Sequence, residues 1–243
     1  PDFRLSFARL VVQDKLRTGQ RLLEEYGWNH PESADLLAAV RERMERAQSA
    51  SALAVDEDEL RGIEGAAAAA YFEGFDRMVR PPFRFERRSQ HPAHNPVNAL
   101  LNLGYVLLAT EIAGQLEAAG LDPRVGYYHG VRYGRMSLAL DLLEAHRAAV
   151  DRLTLSLLNR RMFAPEDFVT HEGAAGVRLQ PEALRRSVQR LLADRADPAA
   201  ASLVAALLVP SQAPAVPPEV WVPVRWVGAL THRKLVAFQG AAA

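Results

Sequence analysis

Residues 97–118, VNALLNLGYVLLATEIAGQLEA, decide the fold: a stretch this long and this apolar, without proline or strand-like alternation, reads as a buried helix. Working outward from it, Gly120 closes the helix, and Leu121-Asp122-Pro123 turns the chain towards Gly126-Tyr127-Tyr128-His129-Gly130. Ser137 can cap a further helix that carries Leu138, Leu140, Leu142 and Leu143 and runs on towards Leu158. Residues 181–193 predict another, with Arg185, Arg186 and Arg190. On the other side, the stretch up to Pro96 holds Arg84, Arg87, Arg88, His91 and His94 with no helical period, and reads as an exposed basic loop. Pro81 and Pro82 end the helix before it, which contains the alanine run 66–70 and starts at the acidic cluster Asp56, Glu57, Asp58 and Glu59, where a helix favours negative charge. Residues 5–26 predict an amphipathic helix carrying Lys15, Arg17 and Arg21. Gly27, Asn29 and Pro31 punctuate it, and Ser33 can cap a second helix through Leu36, Leu37, Val40 and Met44, with a polar break near residues 49–51. The predicted class is therefore all-α over residues 1–196. A proline-rich segment, residues 197–243, follows as an irregular tail with a candidate strand in its apolar patch 221–230.

With 243 residues, 49% of them hydrophobic, the chain can bury a large core. Lys plus Arg and Asp plus Glu both number 29, so no global positive field marks a nucleic-acid binder, and any DNA-binding surface must be local. The absence of cysteine removes disulfides, thiolate zinc sites and cysteine nucleophiles, leaving histidine and carboxylates as ligands. No apolar run reaches the roughly 20 residues of a membrane span and no signal peptide is visible, which places the chain in the cytoplasm. A helical pattern that begins almost at Pro1 reads as a piece of a longer polypeptide.

Three places pair polar chemistry with surroundings that would bury it. Glu64 lies between Gly62-Ile63 and the small residues 65–70; His129 sits between tyrosines and a glycine; Asp141 and Glu144, three apart, share one helix face. Singly, each has a plain structural reading. Glu64 can pair with Arg61, His129 can be a hydrogen-bonded structural residue, and Asp141 and Glu144 can pair with Arg132, Arg135 or Arg147. Together, carboxylate, imidazole and carboxylate suit magnesium or manganese, the imidazole favouring manganese, with zinc still open. Such an ion polarises phosphoryl oxygens, which points to phosphodiester chemistry. Arg77, Arg80, Arg84, Arg87 and Arg88 form the densest basic cluster, as fit for phosphate contact as for a solvated loop. Tyr127 and Tyr128 could stack on a frayed base or simply pack.

Four blocks then occur in order. Leu60-Arg61-Gly62-Ile63-Glu64-Gly65-Ala66-Ala67 runs on to Tyr71-Phe72, and Asn95-Pro96-Val97-Asn98-Ala99-Leu100-Leu101-Asn102 precedes Gly104-Tyr105. Gly120-Leu121-Asp122-Pro123 leads to Gly126-Tyr127-Tyr128-His129, and Ser137-Leu138-Ala139-Leu140-Asp141-Leu142-Leu143-Glu144 leads to Arg147. This order resembles the helical catalytic domain of the CRISPR spacer-acquisition integrases, the Cas one family, over roughly residues 8–193, with Asn95 where that family often has aspartate. The resemblance implies Glu64, His129 and Glu144 as metal ligands for Mg2+ or Mn2+ and Asp141 as an assisting acid; the basic loop then offers Arg84, Arg87 and Arg88 to hold DNA. It also implies transesterification that joins prespacer 3′-hydroxyl ends to the CRISPR repeat, a homodimer, and association with the small Cas two protein. A reverse transcriptase or a Cas four nuclease is a further expected companion or fusion. The family's N-terminal β domain is absent from this chain. On the residues alone two other readings stand: a non-catalytic helical scaffold or DNA-binding component, and a transposon-borne integrase or nuclease with the same core.

Overall fold

A computed structural model describes residues 2–170 and 176–193; the proline-rich segment 197–243, with its candidate strand, lies outside the described residues. The first three helices are α1 (Asp2–Asn29), α2 (Pro31–Leu53) and α3 (Glu57–Met78). They are followed by α4 (Pro96–Ala118), α5 (Ser137–Glu144), α6 (Arg147–Asn159) and α7 (Pro181–Ala193). The predicted all-α class holds, with one addition. A small antiparallel hairpin, β1 (Phe168–Thr170) with β2 (Val177–Leu179), pairs Phe168 with Leu179 and Thr170 with Val177, and its Val177 N–H donates to the Ala93 carbonyl at 2.8 Å.

Two packed groups meet at one core. Helices α1, α2 and α3 pack on one another, while α4 packs against α5, α6 and β2; α1 bridges the groups through α5 and α6. Leu16 and Leu23 of α1, Leu37 of α2, Leu60 and Phe75 of α3, Leu101 of α4 and Leu138 of α5 are fully buried between them.

Several helix ends form where the sequence predicts, for capping reasons. Asp56 caps α3 by accepting the Glu59 N–H at 2.8 Å. Asn95 caps α4 by accepting the Asn98 N–H at 2.9 Å, with Pro96 at the first helical position. Its amide also donates to the Phe85 carbonyl at 2.6 Å, a bond an ionised aspartate could not make. At the far end, Gly120 takes φ +75°, its N–H reaches Glu117 O and the Leu121 N–H reaches Leu116 O, which closes α4 with a left-handed glycine.

Other expectations are corrected. Ser33 does not cap α2, which starts at Pro31 after His30 with no side-chain cap, and α2 continues through the polar residues 49–51 to Leu53. Ser137 is not a cap either: it is the first residue of α5, fully buried, and its hydroxyl donates to Gly130 O. The helix expected to run from Ser137 towards Leu158 is broken at Ala145 and His146, where the Ala145 carbonyl turns to accept the Thr18 hydroxyl at 3.3 Å. The basic loop before α4 is only partly exposed, because Phe83, Phe85 and Ala93 are buried in the core. Helix α4 is long and apolar enough by composition to cross a membrane, contrary to the sequence reading, but 56% of its most apolar window is buried inside the protein, as befits a core helix.

The α4–α6 crossing depends on Gly104. A Cβ there would lie 2.5 Å from Val150 Cγ1, and a β-branched core side chain has little freedom to give way. Gly104→Ala is therefore expected to destabilise by about 1–2 kcal/mol, overpacking outweighing alanine's better helix propensity. The urea unfolding midpoint measures it.

Candidate metal centre

The site is assembled from four elements. Helix α1 supplies Lys15, α3 supplies Glu64, the loop between α4 and α5 supplies His129, and the α5–α6 corner supplies Glu144 and Arg147. Helix α5 presents its two acids to different jobs. Asp141, wholly buried, accepts backbone N–H bonds from Tyr127 (2.6 Å), Tyr128 (3.1 Å) and His129 (2.7 Å). It also meets His129 Nδ1 at 2.7 Å. A carboxylate only accepts, so Nδ1 carries a proton, and the neutral imidazole keeps its lone pair on Nε2. That nitrogen lies 3.8 Å from Glu144 Oε1. Asp141 is thus the residue that folds the histidine loop and aims its imidazole, as carboxylates commonly do behind metal-binding histidines. Gly126 makes the loop possible: a Cβ there would come within 2.7 Å of both the His129 carbonyl oxygen and the Ser137 backbone.

Glu144, nearly buried, is gripped by Arg147, whose Nε and Nη2 each approach a carboxylate oxygen at 2.8 Å, and by Lys15 Nζ at 2.7 Å. Burial alone would raise its pKa, but the charges of Lys15 and Arg147 overcome that and hold the carboxyl well below the usual range. Burial likewise opposes charge on Lys15, and the Glu144 and Glu64 carboxylates outweigh it and raise its pKa. The same Lys15 ammonium bonds to Glu64. Arg61, the sequence neighbour suggested as partner of Glu64, instead pairs with Glu57 and Asp58.

Glu64, His129 and Glu144 therefore line one cleft of about 710 Å³. Arg77, Arg87 and Arg88 line it too, with the bare faces of Ala67, Ala68 and Ala69 beside them, whereas Arg84 and Asp141 do not reach it. Arg87 is exposed. Arg88 is half-buried, donating to Asn98 Oδ1 at 2.9 Å and Asn102 Oδ1 at 2.6 Å. Tyr127 and Tyr128 are buried packing residues, Tyr127 set against Phe3 and Phe7.

Beneath the cleft lies a network the sequence reading missed. Asp151 of α6, buried, accepts the hydroxyls of Tyr71 (2.7 Å) and Tyr105. The Tyr105 ring carries Arg147 at 4.5 Å and Arg88 at 5.3 Å from its centroid. An aspartate inside the apolar run of α6 was the available signal, since such a residue is buried only with partners. Asp151→Ala would leave two tyrosine hydroxyls buried without their acceptor, so a loss of about 2–4 kcal/mol is expected in chemical denaturation, with Asp151→Asn milder.

By residue type, two carboxylates and an imidazole with its second nitrogen anchored suit a hard divalent cation, yet among the described residues no three such side chains converge closely enough to hold one. Glu64 and Glu144 meet instead on the Lys15 ammonium.

The chain matches the family model for "CRISPR associated protein Cas1" over residues 1–192. It belongs to the Cas1 family. A CRISPR-associated endonuclease Cas1 of Thermus thermophilus is 42% identical over 194 residues, covering 79% of this chain and 55% of that protein. A CRISPR-associated exonuclease Cas4/endonuclease Cas1 fusion of Rhodospirillum rubrum is 39% identical over 194 residues, 75% of this chain and 32% of that protein. Among solved structures, a Cas1 protein from Thermotoga maritima superposes with TM-score 0.67 at 29% identity, over 84% of this chain and 62% of that one. A casposase bound to integration product gives TM-score 0.64 at 25% identity, over 77% of this chain and 52% of that one. The Cas6-RT-Cas1–Cas2 complex gives 0.68 at 25% identity, over 84% of this chain and 24% of that one. The chain spans about half the length of the first curated Cas1 relative.

Proposed function

We propose that this chain is the catalytic half of a CRISPR spacer integrase, joining prespacer 3′-hydroxyl ends to the repeat by divalent-metal-dependent transesterification. The observation that carries the reading is the convergence of Glu64, His129 and Glu144, from three separate parts of the fold, on one arginine-lined cleft. Residues 1–196 form the catalytic domain in this reading, and the proline-rich tail 197–243 is given no role in it.

Glu64, His129 Nε2 and Glu144 would hold Mg2+ or Mn2+, which supplies Lewis acidity at the scissile phosphate. The chain's own groups do the rest. Asp141 keeps His129 in one tautomer and orientation, and Arg147 fixes the rotamer of Glu144. Arg87 and Arg88, with Arg84 outside the cleft, contact phosphates of the DNA, positioning it without reading bases. The attacking 3′ oxygen bonds to phosphorus as the bond to the target's 3′ oxygen breaks, and the proton of the attacking hydroxyl ends on the leaving oxygen. No covalent bond to the protein forms. Association with a Cas2-like protein and with a reverse transcriptase or Cas4 nuclease draws support from the relatives' composition, and a second copy of this chain is proposed beside them.

A second reading, a DNA-binding scaffold whose acids only make ion pairs, draws on the Lys15 bridge between Glu64 and Glu144. Strand joining separates the two. A short 3′-hydroxyl DNA, a supercoiled repeat plasmid and the small partner protein are mixed with the chain in manganese or in chelator. Joined product only in manganese supports the integrase; DNA binding without joined product under every metal condition supports the scaffold.

A further inference from the structure

We propose that Lys15 is a built-in counter-cation of the metal centre: its ammonium holds Glu64 and Glu144 together in the metal-free protein and is displaced when a divalent ion binds. This rests on the metal reading above and adds a competitor that the reading does not contain.

The geometry argues for it in three steps. First, Lys15 Nζ lies 2.7 Å from Glu144 Oε2 and also bonds Glu64, so one ammonium ties α1 to α3 and α5 at the carboxylates that would ligate metal. Second, the two carboxylates facing the cleft are already neutralised, since Lys15 and Arg147 balance Glu64 and Glu144, while the Asp141 carboxylate is turned to the histidine loop. A divalent ion added to it must expel a cation or share its ligands with one at short range, and like charges a few ångströms apart repel strongly in a partly dehydrated cleft. Third, only one of the two cations is free to leave. Arg147 is bidentate on Glu144 and stacked on Tyr105, whose hydroxyl is anchored by Asp151. Lys15 is a point charge on a flexible four-carbon stem, its side chain 22% exposed and lining the open cleft.

The consequence is an antagonism between an internal ammonium and the metal, linked through the same two oxygen donors. Removing the ammonium's charge should tighten metal binding and weaken the metal-free fold together. The test is Mn2+ binding by titration calorimetry, alongside thermal unfolding with and without saturating Mn2+, for the parent, Lys15→Met and Lys15→Gln. Methionine keeps the length of the stem; glutamine is shorter but keeps a hydrogen-bond donor, which guards against a collapse of the metal-free protein. The expected result is Mn2+ affinity raised about tenfold or more in either variant, with a lower metal-free Tm and a larger Mn2+-induced rise than in the parent. A parent that binds Mn2+ and variants that bind it equally or more weakly would overturn the displacement while leaving the metal centre in place. Failure of the folded parent and both variants to bind Mn2+ would overturn the displacement and the metal reading together.

Discussion

Glu64→Ala and His129→Ala are each expected to reduce strand joining by about a hundredfold to a thousandfold or more, while leaving a folded protein that still binds DNA. The two substitutions are chosen because the surroundings tolerate them. Loss of Glu64 leaves Lys15 paired with Glu144, and loss of the His129 imidazole leaves Asp141 with three backbone donors. Glu144→Ala is a poorer probe, since it strips the half-buried Arg147 of its carboxylate and leaves Lys15 with Glu64 alone. Joined product measured against DNA affinity and thermal unfolding separates lost chemistry from lost fold; activity of either variant equal to the parent would remove that residue from the centre.

Asp141→Ala is expected to damage both stability and chemistry. Three main-chain N–H groups and His129 Nδ1 converge on this fully buried carboxylate, and alanine leaves them without an acceptor. Summed over groups that cannot all reach water, a loss of about 3–5 kcal/mol is expected in urea unfolding. The released imidazole should also lower metal affinity by about tenfold to a hundredfold, the usual effect of removing the partner behind a histidine ligand. Asp141→Asn retains one accepting oxygen and should fall between alanine and the parent on both measures.

Much of the helical frame was legible because it is written in local physics. The acidic start of α3 and the left-handed turn at Gly120 are short-range devices whose residue types announce them, whereas the Asn95 cap, equally local, is not among the expected caps and the serines expected to cap do not. The α5–α6 break was not legible: no glycine or proline stands at Ala145 or His146, and the apolar period runs across it. The break owes itself to tertiary demands, bringing Glu144 and Arg147 to the same corner and turning a carbonyl towards Thr18.

The site was legible in part for the same reason. Spacing placed Asp141 and Glu144 on one helix, but could not assign one to the backbone of the histidine loop and the other to the cleft. Nor could it give Glu64 to Lys15, 49 residues away, instead of to Arg61 three residues away, because that choice is made by how α1 packs on α3. Arg88 is the opposite case. Its place in a basic loop suggested a free cation, and only the fold reveals Asn98, Asn102 and Tyr105 around it.

The most direct test of the central claim, that Glu64, His129 and Glu144 form one divalent-metal centre, is Mn2+ binding followed by electron paramagnetic resonance. A single saturable site in the parent, showing nitrogen coupling that vanishes in His129→Ala and affinity that collapses in Glu64→Ala, is the predicted result. Binding that persists unchanged in both variants, or a folded parent with no saturable site, would contradict it.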